Sequence, residues 1–120
     1  LMEGVRHALM LNRLIYGASA VTHLDALRWA TEGSARCLGR SSIGKIAPGF
    51  QADLALFTLD ELRFSGAGDP LAALVLCGAH RADRVMIRGR WTVEDSMPVG
   101  IDVAKLRHDH GAVAKLFAES

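Results

Sequence analysis

A chain of 120 residues and 12.9 kDa can enclose one modest core, but not a complete eight-stranded α/β barrel, which needs roughly 200 residues or more. Half of it is hydrophobic and 22% is charged, with 14 basic against 13 acidic residues and a net charge of +1; this is globular composition without the electrostatic footprint of a nucleic-acid or anionic-membrane partner. The longest apolar run, Leu71 to Ala79, is far short of the roughly 18 residues of a spanning helix. No signal-peptide pattern opens the sequence and two cysteines make no disulfide framework, so a reducing, cytoplasmic setting is expected.

Residues 1–16 read as a helix. Glu3, Arg6 and Arg13 share one stripe, while Met2, Val5, Leu9, Leu11, Leu14 and Ile15 cover much of the remaining surface, so burial on more than one side is expected. A helical pattern already running at Leu1 is expected of a fragment. Gly17-Ala18-Ser19 breaks the helix, and Thr22 with Asp25 three residues on forms a capping-box pattern for a second one. Leu24, Leu27 and Ala30 supply its expected inward stripe. Gly33-Ser34 is expected to interrupt, with Ser34 capping a further turn and Gly39 ending it in the left-handed region.

From residue 40 the period changes. Asp53-Leu54-Ala55-Leu56-Phe57-Thr58 is a short apolar run between the turn signals Pro48-Gly49 and Asp60-Glu61. Arg84–Arg88 and Arg90–Val93 flank Gly89, which predicts two antiparallel strands joined by a tight turn, with Asp53–Thr58 beside them in a small sandwich. Alternation of Val85 and Ile87 against Arg84, Met86 and Arg88 implies one buried face. Ser65 to Pro70 is a loop, and Leu71 to Cys77 fits strand or helix from pattern alone. Pro98-Val99-Gly100 marks a last boundary before helical spacing returns through Val103, Leu106, Val113, Leu116 and Phe117.

Chemistry-bearing residues are sparse. His108-Asp109-His110 has the look of a metal pair, but residues two apart on a helix point about 200° apart, so a solvated helix face is the stronger reading. His7 stands four residues after Glu3 and is expected to pair with it on the helix surface; His23 follows an N-cap, and His80 lies in a loop. None of these has a second ligand at a metal-binding spacing. Cys37 and Cys77 sit in apolar runs and are expected to be buried and inert. Gly44, Gly49 and Gly89 fit turns at positive φ rather than a phosphate loop, since Lys45 is misplaced and a strand follows. Asp53 is expected to satisfy loop N–H groups locally. No catalytic, cofactor-binding or metal-binding residue is assigned.

Gly44-Lys45-Ile46-Ala47-Pro48-Gly49-Phe50-Gln51-Ala52-Asp53-Leu54-Ala55-Leu56-Phe57, with Gly33 to Gly39 before it and Arg84 to Trp91 after it, resembles the C-terminal portion of the amidohydrolase superfamily. The closest resemblance is to the branch of cyclic deaminases that includes 8-oxoguanine deaminase and the hydroxytriazine aminohydrolases. Asp60 to Gly66 followed by Asp69 to Leu74 looks particularly like the 8-oxoguanine deaminase subgroup. The resemblance implies an α/β fold: residues 1–39 as the last helices of a (β/α)8 barrel, 40–100 as strands of a composite β-sandwich, and 101–120 as a C-terminal helical tail. For the parent enzyme it implies hydrolytic release of ammonia from a heterocyclic substrate, assisted by one zinc or iron ion. That ion would be held by a His-x-His pair, a further histidine and an aspartate that match no position here. Such an ion lowers the pKa of bound water towards ~7, and Glu, His and Asp groups move the protons. The loop carrying the aspartate would immediately precede Leu1, so Glu3 and Arg6 could brace it by hydrogen bonds or form an ordinary surface pair. The implied partners are the remainder of the barrel and a small heterocycle, with a homo-oligomer left open. The competing reading is a structural or interaction fragment with no activity of its own.

Overall fold

The computed structural model describes residues 1–79 and 81–118. It is a helical layer followed by one antiparallel sheet and a terminal helix. Helix α1 (Met2–Tyr16) leads to α2 (His23–Arg28), a π turn (Trp29–Gly33) and α3 (Ser34–Cys37). A short strand β1 (Leu54–Leu56), a 3-10 turn (Leu62–Phe64) and α4 (Pro70–Leu76) come next. Strands β2 (Arg84–Ile87), β3 (Arg90–Glu94) and β4 (Met97–Pro98) then precede α5 (Val103–Ala118).

Helices α2 and α4 start where side chains take up their free N–H groups. The Thr22 hydroxyl accepts from the Asp25 N–H at 3.2 Å, and the Asp25 carboxylate accepts from the Thr22 N–H at 2.9 Å, a reciprocal capping box. Asp69 caps α4 by accepting from Leu71 and Ala72, and Pro70 sits at the first helical position, where a missing N–H costs nothing. The segment that fitted strand or helix by pattern is therefore helix. Gly33-Ser34 does not interrupt: Gly33 is right-handed helical at φ −62°, and the chain passes through a π turn. The Ser34 hydroxyl caps nothing and instead donates to the Trp29 carbonyl at 3.0 Å.

The main core lies between α1, α2 and α4, where Val5, Leu9, Val21, Ala26 and Val75 are buried together. Ala26, rather than Leu24, is the innermost side chain of α2, because α1 and α4 both pack against that helix; Leu27 and Ala30 flank the cluster and Leu24 is exposed. Only one stripe of α1 is covered, and Leu11, Leu14 and Ile15 stand in solvent. A smaller cluster of Phe64, Ala73 and Ala79, with Phe57, Leu59 and Leu74 packed on it, ties α4 to the strand side of the molecule.

The sheet has four strands in the order β1-β2-β3-β4, each pairing antiparallel with the next. Arg88 (φ 49°) and Gly89 (φ 75°) form the two-residue turn between β2 and β3, the conformation that suits strands of right-handed twist. A second such turn, Asp95 and Ser96, leads into β4, which the sequence pattern did not suggest. The expected alternation along β2 fails. Val85 pairs with Val93 and Met86 with Trp91, so Thr92 is the extra residue of a bulge; Val85 and Met86 are both half-buried and Ile87 is exposed. Consecutive side chains of β2 point to opposite faces, so both faces of that strand are partly covered, while the bulge shifts the side-chain phase of β3 by one residue.

Candidate functional site

An apolar groove of about 520 Å³ lies between the helical layer and the sheet. Met2 and Val5 of α1, Leu27, Phe57, Leu74 and Val85 line it, and among the described residues no titratable side chain does. Helix α1 contributes through the same face that carries Leu9, whereas Val85 reaches the groove from β2. Apolar walls of this kind can receive apolar side chains or a flat hydrophobic body. Among the described residues they offer no acid or base, and the one hydroxyl, that of Thr31, is spent on the Leu27 carbonyl at 2.8 Å.

The histidines flagged by sequence are not brought together. His108 and His110 lie on α5, exposed, and Asp109 between them is engaged by the Lys105 ammonium at 2.7 Å. The helical reading of this motif stands. His7 is exposed on α1, and no ion pair joins it to Glu3, contrary to the expected surface pair. Water solvates both side chains well, and exposed pairs contribute only about 0–1 kcal/mol. Glu3 and Arg6 are likewise exposed and make no ion pair with each other. His80 lies outside the described residues. Among the described residues no three His, Cys, Asp or Glu side chains gather where an ion could be held.

His23 has a role that its position after an N-cap did not reveal. Its Nε2 stands 3.1 Å from the Asp69 carboxylate, the group that caps α4, so one half-buried imidazole bridges the starts of two helices. Asp69-Pro70 is a recognisable helix start in sequence, but its partner 46 positions away (69 − 23) is set by the packing of α2 against α4. The cysteines correct an expectation: Cys37 and Cys77 are both exposed. On α3 the buried position is Ala35, and Cys77 lies just beyond α4, past the core residue Val75.

Asp53 also departs from the local role expected of it. Its Oδ1 accepts from the Arg88 N–H at 2.8 Å and its Oδ2 from the Gln51 side chain at 2.6 Å, so it staples the β2–β3 turn to the entry of β1. Asp83 does the same at the other end, accepting from the Thr58 N–H and the Ser96 hydroxyl. All four of these structural aspartates are held below the usual carboxylate value. The cause is the Thr22 hydrogen bond for Asp25, the Arg88 N–H for Asp53, the Ala72 N–H for Asp69 and the Thr58 hydrogen bond for Asp83. Each accepts hydrogen bonds that favour its charged form.

The turn glycines fit the same picture. Gly44, Gly49 and Gly89 have φ of 93°, 81° and 75°. At Gly44 there is a second constraint, since a Cβ would come within 2.9 Å of both the Ala35 Cβ and the Thr31 carbonyl oxygen. The loop from α3 to β1 is therefore pressed against the helical layer at that point.

This arrangement is shared with proteins of known kind. An 8-oxoguanine deaminase from Pseudomonas aeruginosa is 62% identical over 109 residues, 91% of this chain and 24% of that protein. A zinc-complexed atrazine chlorohydrolase from Arthrobacter aurescens TC1 superposes with a TM-score of 0.83 at 31% identity, over 93% of this chain and 26% of that one. An adenosine deaminase from Xanthomonas campestris with bound zinc does so with a TM-score of 0.88 at 27% identity, over 99% and 28%. The chain thus spans about a quarter of the length of each of these relatives. The model of the amidohydrolase family matches residues 1–92, more than half of the sequence, and the chain belongs to that family.

Proposed function

We propose that these 120 residues are the C-terminal portion of a metal-dependent amidohydrolase that hydrolytically deaminates a purine-like or triazine ring, of the 8-oxoguanine deaminase type. The observation that carries this reading is the 62% identity to the Pseudomonas aeruginosa 8-oxoguanine deaminase over 91% of this chain. In this reading residues 1–39 are the last helices of the barrel, 40–100 are strands of a composite β-sandwich, and 101–120 are a helical tail. The parent would be cytoplasmic, with neither nucleic acid nor membrane as a partner. No helix among the described residues is long and apolar enough to cross a membrane.

The zinc held by two of the structural relatives supports a divalent ion, zinc or iron, in the parent enzyme. When bound, such an ion supplies an activated water for attack on the ring carbon that bears the amine. The described residues do not fit it, because no donor set converges, and its ligands are assigned to sequence outside this chain. What these residues do is build and brace. The Thr22–Asp25 box caps α2, and the His23–Asp69 bridge ties the start of α2 to that of α4. Val5, Leu9 and Val75 lock α1 to both. The apolar groove beside Met2, Val5 and Val85 is left to receive hydrophobic surface from the remainder of the parent.

A second reading, a structural or interaction fragment without activity of its own, is favoured by the apolar side chains that dominate the described walls of that groove. An ammonia-release assay separates the two. The parent protein, loaded with zinc or iron, is expected to liberate ammonia from 8-oxoguanine or from an aminotriazine, and the 120-residue chain to liberate none. A metal-loaded parent inert on both ring types overturns the deaminase reading, and turnover by the short chain overturns the assignment of its residues to scaffold.

A further inference from the structure

We draw no further inference here: the strongest candidate, the exposed apolar seam that Leu106, Val113 and Leu116 run along α5, carries nothing because nothing in the structure shows what covers it.

Discussion

The helical layer and the sheet are held together by different forces. Between α1, α2 and α4 the cohesion is burial: Leu9 is 0% exposed and Val75 1%, and both sit among other aliphatic side chains. In the sheet no strand residue is fully buried. Cohesion there comes from ladder hydrogen bonds, two tight turns and the aspartate staples at Asp53 and Asp83. A layer that relies on apolar contact responds to lost volume; one that relies on directional polar contacts responds to lost geometry and charge. That contrast suits a chain whose sheet faces a groove rather than a closed core.

The strongest way to break the comparison is to remove volume from the helical layer. Leu9→Ala is expected to destabilise the chain, or the parent that contains it, by about 2–5 kcal/mol, the range for a fully buried leucine. Urea denaturation read by circular dichroism measures it. A loss below about 1 kcal/mol would mean that the α1 contact is loose and that burial does not distinguish the two regions.

Geometry comes second. Gly44→Ala must place a non-glycine residue at φ 93° and press a methyl against Ala35 and Thr31. The backbone strain alone is about 1–3 kcal/mol, with the clash added to it. Gly39→Ala is the control, because its φ of 66° is left-handed but a Cβ there meets nothing within 4 Å. Its cost should stay near the roughly 1–2 kcal/mol of the left-handed penalty. Equal denaturation midpoints for the two variants would remove the close approach from the explanation.

Acid titration sharpens the difference more gently. Asp53 and Asp83 have folded pKa values lowered by the Arg88 N–H and by Thr58 respectively. A lowered folded pKa stabilises the native state fully above the unfolded value, about 3.9, and that contribution is lost as pH falls through the folded one. Nuclear magnetic resonance from about pH 6 to about pH 2.5 should show the Arg88 and Thr58 amides shifting as their aspartates protonate below pH ~3.9. Asp53→Asn should abolish the Arg88 transition and leave that of Thr58 in place. Amides that move together near pH 6 would show that some other group controls the sheet.

The smallest effect is expected at the most suggestive motif. If the proposed function holds, His108→Ala with His110→Ala should leave the metal content and ammonia release of the proposed parent within about twofold, because side chains about 200° apart on a helix cannot share an ion. Elemental analysis of the double variant is the check. Loss of one metal per chain would return the pair to the active centre.

Much of this contrast is local and could be read in the sequence. The Thr22–Asp25 box, the stop at Gly17, the turn at Gly89 and the helical register of His108 and His110 depend on residues within a few positions of one another, where backbone sterics and short hydrogen bonds decide. The family was legible too, through the resemblance that the Gly44–Phe57 segment, with Gly33 to Gly39 before it and Arg84 to Trp91 after it, bears to that family. What the sequence could not decide was what each surface would meet. Ala26 displaces Leu24 as the inner residue of α2 because α1 and α4 converge on it. Cys37 and Cys77 are exposed because none of the described elements closes over them. The Thr92 bulge re-phases the sheet, Asp53 finds its donor at Arg88, and His23 finds Asp69. Each of these joins groups far apart in the chain. Periodicity shows that a side chain is apolar or can hydrogen-bond, but only packing in three dimensions supplies the neighbour and fixes the outcome.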